Sequence, residues 1–364
     1  MESLSILIMN WRDIRNPAAG GAEVFTHEVA KRWASWGHEV TIFTSRFDRA
    51  PAEETLEGVR VVRDGNRITV YSRAKRAYLE RFRNGTDVVV DEINTRPFFA
   101  PRYVDGGTAV CALIYQLARE YWFYETPFPV SVIGRYWLEN RWLSVYKDVP
   151  TATVSPSTQA DLLHLGFRDV TIIPVGLSVS PLRNLPEKDP DPTLIYVGRL
   201  KRTKLPDHAL RAFAHIKQQL PRARLWVVGD GYLREKLERN APPDVAFVGR
   251  VPEEVKLELM RRSHILLYPA IREGWGLAVL EASALGTVAV GYDVPGLRDS
   301  IVNGVTGKLV TFGDYRALAS EALRLLRDPE ELERLARGAL EHSRKFNWDQ
   351  TAAVLLAKLK TMAE

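Results

Sequence analysis

Short apolar runs alternate with amphipathic stretches along the chain. The runs are rich in β-branched residues, as buried strands are, and the stretches between them carry apolar residues at helical spacing. In the first half, strands are predicted at 4–9, 39–44, 59–62, 86–90, 109–114, 152–154 and 170–173, and a helix at 21–37. This alternation favours a parallel sheet covered by helices, with ligands at the carboxyl ends of the strands.

A polar, proline-rich segment at 185–192 interrupts the alternation, because proline cannot continue a helix or a central strand. The pattern then restarts, with strands at 193–197, 224–228, 245–247, 265–268 and 288–291, and helices at 207–220, 233–240, 253–262, 315–326, 329–346 and 348–362. We therefore predict two α/β domains, 1–184 and 185–346, each a doubly wound Rossmann-like unit. A chain of 364 residues is long for a single core, which also favours two domains.

Composition narrows the class of protein. The apolar fraction of 46% and charged fraction of 26% are those of a globular protein, and no stretch approaches the roughly 18 uninterrupted apolar residues of a membrane helix. The start lacks a basic leader and a cleavage site, so we expect a cytoplasmic protein, with the inner face of the membrane as a further location. A single cysteine, Cys111, excludes an internal disulfide framework.

The net charge of +5 is mild, but six basic residues fall between Arg67 and Arg83 against one acid, Glu80. Apolar residues recur at helical spacing through the same stretch, which predicts a basic amphipathic helix at 67–83. Two interpretations stay open. The helix could lie on an anionic membrane surface or meet an anionic acceptor, or it could pack its apolar stripe on its own domain. Nucleic acid is a weaker candidate, because no recognised binding module accompanies the patch.

The segment 272–281 leaves a predicted strand and enters a helix. Gly274 and Gly276 allow the backbone to approach a ligand closely, and the free amides of the new helix can hold a phosphate. Glu273 and Glu281 are spaced to reach different parts of one extended ligand. The glycine setting at a strand-to-helix turn makes this pair more informative than its spacing alone.

A second constellation, 196–204, also follows a strand. Arg199, Lys201, Arg202 and Lys204 beside Gly198 suit a diphosphate, whose departure concentrates negative charge. A solvated basic loop is the plain alternative.

In the first domain, Gly20 and Gly21 follow the first strand and open a helix. They suit backbone approach to a phosphate or sugar, but they do not form the dinucleotide fingerprint.

Together these segments resemble glycosyltransferase family 4, which has the GT-B fold. The resemblance rests on Gly-Gly-Ala-Glu at 20–23, Gly-Arg-Leu at 198–200 with a following lysine, Gly-Asp-Gly at 229–231, the segment from Glu273 to Glu281, and Gly-Val-Thr-Gly at 304–307. It covers nearly the whole chain in order. It implies two Rossmann-like domains facing a central cleft, with the last helix, 347–364, crossing back to the N-terminal domain.

The resemblance also implies roles. Gly21 would approach the donor phosphates, Arg199 and Lys204 would neutralise the diphosphate, Glu273 would contact the transferred sugar and Glu281 the ribose. The remaining donor-binding residues implied are Gly249, Arg250, Val251, Gly274, Trp275, Gly276 and Leu277, with Glu23 on the acceptor side.

One departure concerns the loop after the strand ending at Ile114. Many family members carry a histidine there, near the reacting sugar, whereas this chain has Tyr115 and Gln116. We take these two as acceptor-side candidates in its place.

The implied reaction is a retaining, metal-independent front-face transfer that needs no cofactor. The one Asp-x-Asp sequence, Asp189-Pro190-Asp191, lies in the proline-rich segment, and the seven histidines show no metal-ligand spacing. We favour a uridine diphosphate hexose as the donor over guanosine diphosphate mannose. Aromatic residues of the first domain hint at a glycan or lipid-linked acceptor, although core packing would explain them equally.

Two other functions remain as alternatives. A sugar-nucleotide epimerase would share the fold and convert a nucleotide sugar without an acceptor. A non-catalytic nucleotide-sugar-binding module would bind the donor without transferring or hydrolysing it.

Overall fold

The computed structural model describes residues 3–364, which divide into two units with one sheet each. The first unit comprises the described residues up to Trp122, Phe128–Gly176 and Asn347–Glu364, and the second comprises Phe123–Pro127 and Leu177–Phe346. Both sheets are built from parallel strands with helical connections, which confirms the predicted fold class.

The first unit contains an eight-stranded sheet in the order β3-β4-β2-β1-β5-β6-β7-β8, in which only the β3–β4 pair is antiparallel. Its strands are β1 (Ser5–Met9), β2 (Glu39–Thr44), β3 (Glu53–Leu56), β4 (Val59–Arg63), β5 (Val88–Glu92), β6 (Ala109–Leu113), β7 (Thr151–Thr153) and β8 (Val170–Ile172). Its helices are α1 (Gly21–Ser35), α2 (Val70–Ala77), α3 (Tyr121–Glu125, which continues into the second unit), α4 (Val130–Ile133), α5 (Glu139–Leu143) and α6 (Pro156–His164). Wider π-helical turns at Tyr78–Phe82 and Gly134–Leu138 extend α2 and α4.

The second unit contains a six-stranded, wholly parallel sheet in the order β11-β10-β9-β12-β13-β14. Its strands are β9 (Thr193–Val197), β10 (Arg224–Val228), β11 (Val245–Gly249), β12 (Ile265–Tyr268), β13 (Val288–Tyr292) and β14 (Gly307–Val310). Its helices are α7 (Pro206–Gln219), α8 (Arg234–Arg239), α9 (Glu253–Arg262), α10 (Leu277–Ala284), α11 (Leu297–Ser300), α12 (Tyr315–Arg327) and α13 (Pro329–Ser343). Every residue of β9 and β13 is buried, as expected for central strands covered on both faces.

The boundary between the units lies at Gly176, earlier than the expected 184. The intervening segment is tied to the second unit because the Leu182 amide donates to the Ala284 carbonyl at 3.0 Å, and Arg344 contacts the Leu182 carbonyl at 3.3 Å. The proline-rich stretch is also packed, since a Cβ on Gly286 would lie 2.9 Å from the Leu185 side chain. A segment that cannot form regular structure can still pack.

The last helix, α14 (Trp348–Ala363), belongs to the first unit, as the resemblance implies. The Trp33 indole donates to the Ala352 carbonyl at 2.9 Å, and the Trp348 ring meets Phe25 edge-on at 5.6 Å. Gly176 faces the same ring, because a Cβ there would lie 2.0 Å from the Trp348 indole. The Trp348 ring therefore leaves no room for a side chain at position 176.

The basic stretch 67–83 forms α2 and the wide turn after it. Its apolar stripe is buried in the first unit, where Val70, Ala74 and Tyr78 pack in the cluster that contains Leu7 and Phe43. The second of the two interpretations of this helix therefore holds for its apolar face.

Polar side chains are buried where β1 and β5 end, beneath the start of α1. The carboxyl of Glu92 is 1% exposed and accepts from the Asn10 amide at 2.5 Å, while the Thr26 hydroxyl lies 2.6 Å from its other oxygen. The Tyr115 hydroxyl lies 3.1 Å from that of Thr26. This cluster joins the ends of two strands to the first turns of α1.

Burial raises the pKa of Glu92 to about 8, further helped by the charge of Glu23 and only partly offset by the hydrogen bond from Thr26. The acid is thus mostly protonated at neutral pH. In the unfolded chain a glutamate ionises near 4.5. Between these two values the unfolded chain releases a proton that the folded protein keeps, so stability is greatest below the lower value and falls as pH rises towards the upper one.

We expect Glu92→Gln to remove part of the pH dependence of stability between about pH 5 and pH 8. Each pH unit in this window costs the wild type up to about 1.4 kcal/mol, whereas an amide mimics the protonated acid at every pH. Urea unfolding of both proteins across the window measures the difference. Glu235→Gln, at a side chain 87% exposed, is the control and should match the wild type. Parallel pH profiles for wild type and Glu92→Gln would contradict the assignment.

Candidate functional site

The basic segment 196–204 and the acidic, glycine-containing segment 272–281 follow two strands that are neighbours in the second sheet. The chain runs outward from β9 through β10 to β11, then returns to the other side of β9 to form β12. The strand order therefore reverses between β9 and β12, which is where open α/β sheets bind ligands. Both segments begin at the carboxyl ends of these two strands.

Tyr196, a residue of β9, holds the loop that follows this strand by hydrogen bonds. This buried side chain places its hydroxyl 3.3 Å from the carbonyl oxygens of both Arg199 and Lys204. A single turn of 3₁₀-helix at Arg202–Lys204 follows, and Leu205 adopts a left-handed conformation with φ of 46° before Pro206 starts α7. The loop is thus fixed at both ends.

The loop after β12 carries Glu273 to the same place. Lys204 donates to the Glu273 carboxylate, and the two side chains are only 18% and 9% exposed. The backbones are joined as well, because the Ile271 amide donates to the Thr203 carbonyl at 3.2 Å. The structure therefore brings together two residues that stand 69 positions apart in sequence.

Positive charge accumulates in this loop. Burial, together with the nearby charges of Lys204 and Arg199, lowers the pKa of Lys201 to about 8, and Glu125 partly opposes the shift. A nearby anion would favour the protonated form of this lysine. The loop is therefore electrostatically suited to an anionic ligand.

Glycines allow the neighbouring loops to approach each other. A Cβ on Gly229 would lie 2.1 Å from the Gly198 carbonyl oxygen, and one on Gly231 would lie 2.4 Å from that of Leu200. The Gly229 amide in turn donates to the Gly249 carbonyl at 2.8 Å. The ends of β9, β10 and β11 are thereby linked, which places the segment 249–251 on the same edge of the sheet.

Gly276 opens α10 with a φ of +92°, a left-handed conformation that suits glycine. Within the described residues, 3–364, this N-cap position supplies no side-chain cap, so the first amides of α10, beginning at Leu277, lack the acceptor that a capping side chain provides. Gly274 and Trp275 precede it. The Trp275 ring meets Phe346 at 5.6 Å, and among the residues described its buried indole N–H has no hydrogen-bond partner.

Glu281 lies on the second turn of α10. It forms an ion pair with Lys256 of α9 at 2.8 Å, and both side chains are 16% exposed. Burial raises the pKa of Glu281, and Lys256 opposes that shift. The sequence analysis did not identify Lys256, because its partner is set by the packing of α9 on α10.

The sequence analysis also did not identify Glu125. Its carboxylate accepts from the Thr203 hydroxyl at 3.0 Å and the Thr203 amide at 3.3 Å, and the Tyr232 hydroxyl donates to it at 3.1 Å. A single acid within an aromatic segment, 78 residues from its partner, gives no local signal of this contact.

In the first unit, Gly21 is the first residue of α1, as expected. Glu23 is not available at the surface. It is 1% exposed, accepts from the Gly20 amide at 2.6 Å, and forms an ion pair with Arg12 at 2.9 Å. It therefore holds the loop before α1 in place, as an acid at the third helical position commonly does.

The two acceptor-side candidates after β6, Tyr115 and Gln116, have different surroundings in the structure. Tyr115 is 9% exposed, and its hydroxyl belongs to the buried cluster with Thr26 and Glu92. Gln116 is half-buried, and its side-chain oxygen is buried without a hydrogen-bond partner in the part of the chain that the structure describes. A buried amide oxygen without a partner is costly, so Gln116 is the better candidate for contact with a ligand.

The Asp-x-Asp sequence has a structural role. Asp189 pairs with Arg262 at 2.8 Å, and Asp191 pairs with Arg224 at 2.9 Å and with Arg222. Among the described residues, no group of three or more histidines, cysteines and acids is placed to hold a metal ion.

Two family models match the chain in succession. Glycosyltransferase Family 4 matches residues 19–180, and Glycosyl transferases group 1 matches residues 182–342. A D-inositol 3-phosphate glycosyltransferase from Thermobispora bispora is 29% identical over 93% of this chain and 89% of its own. A glycogen synthase from Mycobacterium tuberculosis is 27% identical over 99% and 95%.

Solved structures share the fold over the same length. Sucrose-phosphate synthase from Thermosynechococcus elongatus superposes with a TM-score of 0.80 at 21% identity, covering 98% of each chain. Anabaena HepE in complex with UDP-glucose superposes with a TM-score of 0.75 at 16% identity, covering 98% of this chain and 100% of its own. With the two family matches and the site geometry, these findings show that the chain is an enzyme of the GT-B glycosyltransferases, of the family 4 type.

Proposed function

We propose that this glycosyltransferase moves a hexose from a nucleoside diphosphate to a hydroxyl group of its acceptor, with retention of the anomeric configuration. The observation that carries the proposal is the contact between Lys204 and Glu273 where the strand order reverses. It sets a cation for the diphosphate beside a carboxylate for the sugar.

Each part of the donor has a matching group in the second unit. Arg199 and Lys204 neutralise the diphosphate, with the uncapped amino terminus of α10 as a further anion site. Glu273 accepts hydrogen bonds from sugar hydroxyls, and Glu281 accepts them from the ribose. The backbone of 249–251 contacts the base.

The reaction then needs little further chemistry from the protein. The bond between the anomeric carbon and the diphosphate oxygen breaks as the acceptor oxygen bonds to the same face of the sugar. The acceptor proton passes to the departing phosphate oxygen, so no dedicated base is required. The enzyme contributes charge stabilisation of the leaving diphosphate and orientation of the two substrates.

We favour a UDP-hexose donor, with GDP-mannose second. One solved structure of the same fold, Anabaena HepE, is in complex with UDP-glucose. We propose that neither a metal ion nor a cofactor takes part, because the cationic loop supplies the charge that a metal would otherwise bring. The proposed acceptor is a glycan or a lipid-linked glycan.

A panel of nucleotide sugars tests donor binding to the purified protein, and no acceptor is needed. The matching donor should raise the melting temperature in proportion to the logarithm of its concentration. Conversion of the donor without an acceptor would favour the epimerase. Binding with neither transfer nor slow hydrolysis would favour a non-catalytic module.

We expect Arg199→Ala and Lys204→Ala each to lower turnover by on the order of a hundredfold, about 3 kcal/mol, because each removes a cation that stabilises the leaving diphosphate. The rate of transfer, or of donor hydrolysis, measures the effect with the donor identified above. Arg239→Ala is the matched control, since Arg239 is a 71% exposed cation of the same unit. Unchanged turnover in both site variants would refute the proposal, provided that circular dichroism shows a native fold.

On the acceptor side, Gln116 takes the role for which the family commonly uses histidine. Its unpaired buried oxygen can accept a hydrogen bond from a substrate hydroxyl, whereas the Tyr115 hydroxyl already lies within the cluster around Glu92. Glu23 is set aside for the same reason, because both of its oxygens have partners within the loop.

We expect Gln116→Ala to raise the KM for the acceptor about tenfold with little change in donor binding, because one hydrogen bond to substrate is lost. Tyr115→Phe should leave that KM unchanged and lower thermal stability instead. Acceptor KM is measured with the acceptor that gives turnover in a panel of sugar phosphates and glycans, and donor binding by melting temperature. The reverse pattern would show that Tyr115 faces the substrate.

A further inference from the structure

Six large apolar side chains are exposed within ten residues of the first unit, from the turn before α4 to the wide turn after it. They are Phe128, Val130, Val132, Ile133, Tyr136 and Trp137, here called the aromatic face. Phe128 is 83% exposed and Trp137 is 55% exposed. Clustered apolar exposure of this kind marks an interaction surface, whereas isolated exposed residues do not.

The opposite side of the stretch is fixed, so the aromatic face cannot turn inwards. A Cβ on Gly134 would lie 2.2 Å from the Trp122 ring, which shows how closely the helix packs there. Further along, the buried Glu139 carboxylate accepts from the Ala118 amide at 2.7 Å and the Arg119 amide at 3.0 Å. An acid thus points into the unit while aromatic residues point to solvent, the reverse of an ordinary surface helix.

The charges on this surface have one sign. Between Glu125 and Glu139 the sequence contains no acidic residue, and Glu139 is buried. Arg135 stacks on the Tyr136 ring and Arg141 on the Trp137 ring, each at 5.1 Å. The exposed surface therefore combines apolar side chains, interfacial aromatic rings and arginines.

Lipid fits this combination better than a second copy of the chain does. Tryptophan and tyrosine favour the boundary between hydrocarbon and water, and arginine can reach anionic headgroups from there. A symmetric dimer through the same face would place each arginine near its own copy, and the face has no acid to pair with it.

The basic helix 67–83 is a poorer membrane surface. Its apolar stripe is buried in the core, and four of its five arginines form ion pairs, among them Arg81 with Glu53 at 2.6 Å and Arg83 with Asp105. Only Ile68 and Leu79 expose large apolar side chains there.

We infer that the aromatic face docks this enzyme on the surface of an anionic membrane. The attachment is peripheral, and within 3–364 no helix is long and apolar enough to cross a bilayer. The helical stretch follows β6, whose carboxyl end carries Gln116, so docking holds that end of the first unit's sheet towards the lipid. The inference does not rest on the proposed reaction, because vesicle binding requires no donor.

Sedimentation with vesicles tests the inference. The whole protein should bind vesicles that contain phosphatidylglycerol and bind more weakly to phosphatidylcholine alone. Replacing two anchors together, Ile133→Ser and Trp137→Ser, should lower the bound fraction at least about fivefold. The matched control replaces the two exposed apolar residues of the basic helix, Ile68→Ser and Leu79→Ser, and should bind as the wild type does.

Three results would overturn the inference. The first is that the wild type does not bind vesicles. The second is that the two double variants lose the same fraction of vesicle binding. The third is that the wild type forms a dimer, which the changes at Ile133 and Trp137 dissociate. If that double variant does not fold, brominated lipid should quench the tryptophan fluorescence of the wild type more than that of Trp137→Phe. Equal quenching of the two proteins would count against docking. Melting temperature with UDP-glucose, measured on the same samples, separates a failure of docking from a failure of donor binding.

Discussion

The buried ion pair between Lys204 and Glu273 is the interaction on which the proposed donor site depends. It joins the loops after β9 and β12, which leave the sheet side by side because the two strands are adjacent and parallel. The backbone bond between Ile271 and Thr203 supports it. A cation and a carboxylate are thereby held side by side, which is the arrangement that the proposed transfer requires.

The two units differ in the charge that they bury. In the second unit, cations are concentrated in one loop, where burial and then their mutual repulsion lower the pKa of Lys201. In the first, the acid Glu92 is neutralised by burial, and Glu23 is neutralised by Arg12. The first arrangement favours an incoming anion, whereas the second builds a rigid support under the start of α1.

Exposure in the first unit is decided by what each helix buries on its other side. The helix 67–83 and the stretch that bears the aromatic face both combine basic and apolar residues. The first buries Val70 and Tyr78 and leaves its arginines to surface ion pairs. The second buries Gly134 against an indole ring and Glu139 against backbone amides, which turns its apolar residues outwards. Composition alone does not distinguish the two.

The sequence by itself determined the order of strands and helices, because short apolar runs and helical periodicity are local signals. It also identified 198–204 and 272–281, since glycines and charged residues at strand ends are visible without a structure. It did not identify β14 or β3, an exposed edge strand with two acids, and it ended a strand at residue 90, before the two acids that complete β5, because acidic residues are uncommon in buried strands.

Only the tertiary structure decided which partners these residues have. Lys204 meets Glu273, Glu281 meets Lys256, Glu125 meets Thr203, and Tyr115 rather than Gln116 is drawn into the buried cluster. Such pairings depend on how the chain brings together segments far apart in sequence, and no local pattern encodes that distance. The same holds for the boundary between the units, because hydrogen bonds and close packing attach the segment around Leu182 and Leu185 to the second unit.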